Sequence, residues 1–312
     1  MQTHAAGRRP LTSKLPDSTT RGLPSARGGS VDMASDHATV AMVQPIGRGQ
    51  MATNPSLGET LAVLLARDIA DGEKVIIGTN SDIQLAACNL ARRLQAPRLW
   101  WISGPGGMVN PTRDHLLSTA DYENLESAES WMDLPVMIDF IDWKVHFFDF
   151  AILSALQVDR FGNINTVVVG DQRKPRVRGP GTVGISALCG LAKRFYVCLT
   201  RHDRSAFVPR VDFLCGPGHM EGGDSRERMG LPPGGPRLVL SPLGVFDFTP
   251  DSKAMRVKSI SPGVSLEQIR DSTAFDIVVE GTPPVTTMPT DHELELLRKH
   301  VDRRGDLRRK FP

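Results

Sequence analysis

The run from Leu57 to Gly107 limits what this chain can fold into more than any other stretch. Leu57, Leu61, Leu64 and Leu65 recur at helical spacing. An Asn54-Pro55-Ser56 entry before them predicts proline in the first turn. Asp71-Gly72 breaks the pattern, and Lys74-Val75-Ile76-Ile77-Gly78 reads as a short buried strand. A second helix is predicted from Asp82, with Ile83, Ala86, Ala87, Leu90 and Leu94 on one side. Leu99, Trp100, Trp101 and Ile102 form the next strand, which runs into Ser103-Gly104-Pro105-Gly106-Gly107. Helix, strand, helix, strand and glycine loop in this order predict an open α/β sheet. Ligand sites in such sheets form where loops leave the carboxyl ends of strands. The 103–107 loop is therefore the first candidate site.

Further along, Phe150 to Val158 form an apolar run, followed by Asp159-Arg160-Phe161-Gly162-Asn163 and a β-branched run over 164–169. Two apolar strands around such a turn predict a hairpin. A basic loop follows, carrying Asp171, Arg173, Lys174, Arg176 and Arg178, then Gly181 and Gly184, and it enters a predicted helix at Ile185–Leu191. Backbone N–H groups at a helix start with arginines nearby suit a phosphate or a developing oxyanion. Asp171 and Arg178 flank this second loop as candidate contacts for phosphates or for the rest of a substrate. Strands are expected over 195–199, 208–214, 237–240, 245–248 and 256–260, and short helices over 266–270 and 291–300. There is no internal repeat and no clear linker, so one α/β domain with a mixed sheet is expected.

The 312 residues, 40% of them hydrophobic, suffice for one substantial core. Residues 1–41 are rich in Arg, Gly, Ser, Thr and Pro with almost no apolar clusters, and are expected to be a disordered tail. The folded domain is then expected over 42–302. Arg303, Arg304, Arg308, Arg309 and Lys310 read as a solvated basic tail over 303–312. No aromatics interleave these charges, so no nucleic-acid partner is expected. No run approaches the roughly 18–20 apolar residues of a membrane span, and no secretory signal is visible. Asp17, Asp32 and Asp36 count against an organelle presequence. Cys88, Cys189, Cys198 and Cys215 lack any Cys-x-x-Cys pairing, which fits buried thiols in a reducing cytoplasm.

Familiar catalytic constellations fail. There is no Gly-x-Ser-x-Gly elbow, no His-Glu-x-x-His and no Walker-type loop. His202 and His219 lack partner ligands at close spacing, so no metal is expected. Asp212, Asp224 and the cluster Glu123, Glu126 and Glu129 read as solvated or capping carboxylates. Trp100, Trp101, Trp131 and Trp143 read as core in preference to a pocket lining. Ser103 reads as a turn serine, with a nucleophilic role as the weaker alternative, because no histidine follows it as a base.

The order of the later motifs adds more. Leu153-Ser154-Ala155-Leu156-Gln157-Val158-Asp159-Arg160-Phe161-Gly162-Asn163-Ile164-Asn165 is followed by Gly170-Asp171 and by Lys174-Pro175-Arg176-Val177-Arg178. Then come Pro180-Gly181, Val211-Asp212-Phe213-Leu214, Leu243-Gly244-Val245-Phe246 and Ser261-Pro262-Gly263-Val264. From about Gly58 to Arg298 this series resembles the B-type subunits of the family I CoA-transferases, that of glutaconate CoA-transferase among them. The resemblance implies an open α/β sandwich, a partner A-type subunit and an acyl-CoA substrate, with CoA as part of the substrate and not a resident cofactor. It also implies a glutamate in a Glu-Ser-Gly or Glu-Asn-Gly motif after an early strand, which attacks the thioester and carries CoA. Here that stretch is Trp101-Ile102-Ser103-Gly104, so Ile102 stands in the glutamate's place. Gly104, Gly106, Gly107, Arg176, Arg178, Gly181 and Gly184 are the implied thioester-binding or oxyanion positions. The family's later Asn-Asp pair becomes Ser186-Ala187. A branch resembling the actinobacterial sterol-catabolism enzyme opens a carbocyclic ring of a CoA thioester with water. Its B-type subunits lack the glutamate and its A-type subunit carries the key carboxylate. A non-catalytic subunit shaping the partner's pocket is the remaining alternative.

Overall fold

Ser56 opens the first helix, α1 (Leu57–Ala66), through a capping box: its side chain accepts the Glu59 N–H while the Glu59 carboxylate accepts the Ser56 N–H. Pro55 thus precedes the cap and does not lie in the first turn. The computed structural model describes residues 54–78, 81–104, 106–111, 118–119, 121–142 and 145–312, all within one compact unit, Ala52–Pro312. The tail expected over 1–41 lies outside them. The sequence reading then holds through β1 (Lys74–Ile77), α2 (Asp82–Leu94) and β2 (Trp100–Ser103). After them come β3 (Met108–Val109), α3 (Glu123–Glu126), β4 (Ser130–Trp131), α4 (Leu134–Asp142) and β5 (Phe150–Leu153). The middle contains β6 (Gln157–Asp159), β7 (Ile164–Asn165), β8 (Val168–Gly170), β9 (Pro175–Arg178), α5 (Ile185–Leu191) and β10 (Arg194–Cys198). The rest runs β11 (Phe207–Val208), α6 (Ser225–Arg228), β12 (Pro236–Ser241), β13 (Gly244–Phe248), β14 (Met255–Ile260), α7 (Leu266–Ser272), α8 (Asp291–Leu296) and α9 (Asp306–Lys310).

Nine strands form one mixed sheet in the order β14-β13-β12-β10-β5-β1-β2-β3-β4. β12, β10, β5, β1 and β2 run parallel, and antiparallel strands flank them on both sides. The parallel strands are buried on both faces, and their side chains alternate between two cores. Val75, Ile77, Trp101, Phe150 and Ile152 pack in one cluster with α1 and α2. Ile76, Ile102, Ala151 and Leu153 pack in the other with Met137 and Ile141 of α4 and Leu188 of α5. The chain passes from β1 to β2 on one side and later places β5 on the other side of β1. The strand order therefore reverses at β1, and the crevice at the carboxyl ends of β1 and β5 is the expected ligand position.

Three expectations are corrected. The apolar run from Phe150 is two strands, because β5 ends at Leu153 and the chain leaves the main sheet. β6 then pairs antiparallel with β7 and parallel with β11, so the hairpin is smaller and belongs to a separate sheet. Of the 208–214 region only Val208, the last residue of β11, is strand, since Pro209 has no N–H to continue the ladder. The segment 303–312 is not a solvated tail. The Asp302 carboxylate accepts the N–H groups of Asp306 at 2.7 Å and Leu307 at 2.9 Å and so caps α9. Leu307 is fully buried, the Phe311 carbonyl accepts the Gly58 N–H at 3.1 Å, and Lys310 pairs with Asp82 at 2.6 Å. The C-terminal end thus closes against α1 and α2. Among the described residues, no helix is long and apolar enough to cross a membrane.

Candidate functional site

The first glycine loop begins where β2 ends. The Gly104 N–H donates to the Ile77 carbonyl at 2.8 Å, holding the loop against β1. Ser103 is fully buried; its hydroxyl donates to the Thr119 carbonyl and accepts the Gly106 N–H at 3.2 Å. Thr119 in turn donates to the Gly78 carbonyl at 2.6 Å. One buried threonine therefore ties together the carboxyl ends of β1 and β2. Sequence reasoning missed it, because a lone threonine in a loop carries no local signal. Gly107 is required by its surroundings: its φ is +60°, and a Cβ there would sit 2.1 Å from the Met132 carbonyl oxygen. Across the reversal in strand order, Gln84 donates to Ser154 at 2.9 Å. Ile102 is fully buried, registered against Ile76 on β1 and Val109 on β3. It brings no titratable or nucleophilic group to the loop.

The second loop follows the β8–β9 hairpin. Asp171 holds the hairpin turn by accepting the N–H groups of Arg173 at 2.7 Å and Lys174 at 3.2 Å. Arg176 and Arg178 are exposed, and the Arg176 side chain lies over Gly170. Thr166 anchors the loop by donating to the Gly181 carbonyl at 2.6 Å, and Gly184 is the left-handed N-cap residue of α5. Ser186 donates to the Cys215 carbonyl at 2.6 Å. Since β5 and β10 are parallel neighbours, α5 must run back from the carboxyl end of the sheet, so its Gly184 end lies on the same side as the first loop. Helix α4 spans the two: Met132, just before it, meets Gly107, and Ile141 near its end lies 3.9 Å from the Cβ position of Gly184. Nine helical residues put the loops roughly 13 Å apart. No hydrogen bond among the described residues joins them directly.

Behind the second loop lies a buried cation that no motif announced. Arg226, 3% exposed, donates to the carbonyls of Cys189 and Gly190 at the end of α5, to Pro217 and Gly218, and to Pro232. Burial pulls its pKa below the usual arginine value. Asp212 accepts from Gln157 Nε2 at 3.1 Å and from the Gly170 N–H at 2.7 Å, bracing the hairpin. Asp212 also lines a cleft of about 600 Å³ with Arg160, Phe161 and Arg210, which neither glycine loop enters.

The remaining candidates are structural. His202 stacks on Phe207 at 3.6 Å and bonds to Ser241 and Thr273; burial pushes its pKa down to about 4. His219 is likewise depressed to about 4 by burial and then by Lys253 and Arg226. No group of three possible metal ligands occurs among the described residues. All four cysteines are buried and free. Asp224 pairs with Arg228, and Glu129 accepts from Asn110 at 2.9 Å. Trp101 is core, Trp131 is 64% exposed on β4, and Trp143 lies outside the described residues.

Residues 58–272 match the family of coenzyme A transferases. The chain belongs to that family. Among individual CoA-transferases it is 37% identical over 246 residues to the B subunit of 3-oxoadipate CoA-transferase from Pseudomonas knackmussii, spanning 78% of this chain and 92% of that one. It is also 28% identical over 258 residues to the cholesterol ring-cleaving hydrolase IpdB subunit of Mycobacterium bovis, spanning 78% and 94%. Its fold is that of glutaconate coenzyme A-transferase from Acidaminococcus fermentans, with a TM-score of 0.74 at 24% identity, covering 82% of this chain and 98% of that one. The resemblance read from the motif order is thus a family relationship.

Proposed function

We propose that this chain is the B-type half of a two-subunit CoA-transferase-like enzyme acting on an acyl-CoA thioester, with the attacking carboxylate supplied by an A-type partner. One observation carries the division of labour. At the end of β2, where the family's glutamate would stand, Ile102 is fully buried in an apolar cluster and can neither attack a thioester nor carry CoA. The second glycine loop, at the start of α5, supplies backbone N–H groups for the tetrahedral oxyanion, those of Gly104, Gly106 and Gly107 in the first being taken by Ile77 and Ser103, and the exposed Arg176 and Arg178 suit the CoA phosphates. CoA enters as part of the substrate, with no resident cofactor. Four buried thiols suit the reducing cytoplasm.

In transfer, the partner's carboxylate attacks the acyl carbonyl and expels the CoA thiolate, which then attacks the resulting anhydride to leave CoA on the carboxylate and free the acid. The acceptor acid reverses the sequence. A second reading, hydrolysis, is favoured by Ile102 together with the likeness to a ring-cleaving hydrolase subunit: water breaks a ring carbon–carbon bond beside a carbonyl, its hydroxyl leaving that carbon as a carboxylate and its proton going to the other carbon, while the thioester stays intact and no CoA passes to the enzyme. The test is to purify the chain with its A-type partner, add acyl-CoA and treat with borohydride. Transfer predicts a trapped carboxylate on the partner and turnover only with an acceptor acid such as 3-oxoadipate. Conversion of a ring-containing acyl-CoA in water alone selects hydrolysis. An adduct on this chain refutes the assignment of the nucleophile to the partner, and full activity of the A-type subunit alone refutes both readings.

A further inference from the structure

The opposite end of the sheet holds an unassigned cleft of about 430 Å³, within the size range of small-ligand sites. It lies where β10 and β12 begin, about 15 Å, or one strand length, from the end at which the glycine loops lie. Lys193, Arg194, Arg237, Lys253 and Lys258 line it against a single carboxylate, Asp247. Three of these cations are already matched: Lys193 by Asp149 at 2.6 Å, Arg194 by Glu73 at 2.7 Å and Arg237 by Asp68 at 2.6 Å. Asp247 is taken by Arg256 at 2.9 Å. Lys253 and Lys258 form no ion pair among the described residues, so two positive charges face the cleft uncompensated.

The backbone adds donors. Gly234 and Gly235 line the same cleft, and neither N–H donates to a protein acceptor among the described residues. Gly235 is pressed against the His219 imidazole, where a Cβ would come within 2.8 Å of Cε1, so this stretch of backbone stays bare. Phe248, edge-on to His219 at 5.1 Å, supplies an aromatic wall. Uncompensated ammonium groups and adjacent unused N–H groups are what an oxyanion with several charged oxygens needs.

We propose that this cleft binds a diphosphate-bearing anion at a second site, remote from the glycine loops. Free diphosphates and the diphosphate of CoA share the recognised chemistry. The probe is inorganic pyrophosphate, titrated calorimetrically at constant ionic strength into the full chain and into its complex with the A-type subunit. Saturable binding of one pyrophosphate is expected, weakened about tenfold in a Lys253→Gln/Lys258→Gln double variant. A control pair of the same charge change, Arg228→Gln/Lys299→Gln, should leave it unaltered. Competition by CoA at this cleft would make CoA the source of the diphosphate; its failure would point to a free diphosphate, and both outcomes keep the site. No saturation at millimolar pyrophosphate, equal weakening in the two double variants, or loss of binding in the complex would each overturn the proposal. None of these readouts depends on turnover, so the site can fail while the proposed function stands.

Discussion

Replacing Arg226 with methionine is expected to loosen the second glycine loop from behind. The guanidinium is 3% exposed and donates to five carbonyl oxygens at 2.9–3.0 Å, without a carboxylate among those acceptors. Removing the charge regains its desolvation cost, but leaves the five carbonyls without this donor. Each buried acceptor left unpaired costs ~1–3 kcal/mol, and water entering the vacated space satisfies some of them. The net loss should be about 3–5 kcal/mol, the cost of the two or three carbonyls that stay unpaired less the desolvation regained. In a domain of this size that lowers Tm by roughly 10 °C. Arg226→Lys keeps the charge but offers fewer donors in a different geometry, and should fall between. Urea unfolding gives the free energy, and amide exchange locates it: the N–H groups of α5 should exchange faster in the methionine variant, with those of α1 changing only through the global loss. A loss below about 1 kcal/mol, or unchanged exchange in α5, would show that the five carbonyls do not rely on Arg226.

Three further outcomes follow from the same geometry. Ile102→Glu should cost about 3 kcal/mol, because a carboxyl replaces a fully buried side chain. The loss should grow as pH rises through the elevated pKa of the buried acid, and borohydride should trap no CoA adduct at this position. His202, held neutral with a pKa near 4 against 6.5 in the unfolded chain, makes unfolding take up a proton as pH falls. Its contribution to stability is full above 6.5 and should decline by about 1.4 kcal/mol per pH unit between 6.5 and 4; urea unfolding of wild type and His202→Gln measures the difference in slope. Gly107→Ala combines a positive φ with a Cβ 2.1 Å from a carbonyl oxygen. It should cost more than Gly181→Ala, where φ is +104° but the space is open, and thermal melts of both rank them.

Much of the scaffold was legible because its punctuation is local. The helix–strand–helix–strand run to Ser103 carries its own periodicity and its own breakers, and α5 begins and ends where its apolar residues do. The β5–β6 boundary was not legible: an apolar run crosses from one sheet to another, and Ser154-Ala155-Leu156 contains no glycine or proline to mark it. The closing helix α9 was hidden for the opposite reason. Basic residues crowd a five-residue segment whose fold depends on one apolar side chain, Leu307, and on Asp302, neither of which reads as a signal alone. The glycine loops of the candidate site were visible as loops. Thr119 and Arg226, which hold them, act through partners distant along the chain, and spacing cannot reveal that.

The pairing of Glu59 with Arg298 has a consequence for synthesis. The two are 239 positions apart, bonded at 2.7 and 2.9 Å, and Glu59 is 1% exposed. Burial alone would raise the Glu59 pKa; Arg298, the Ser56 N–H and Arg308 bring it below normal. A growing chain emerges amino end first, so Glu59 leaves the ribosome long before either cation exists. Until Arg298 and Arg308 appear, α1 can bury this carboxylate only without either cation, at the full cost of its desolvation. Closure of α1 therefore waits on a segment 239 positions further along the chain.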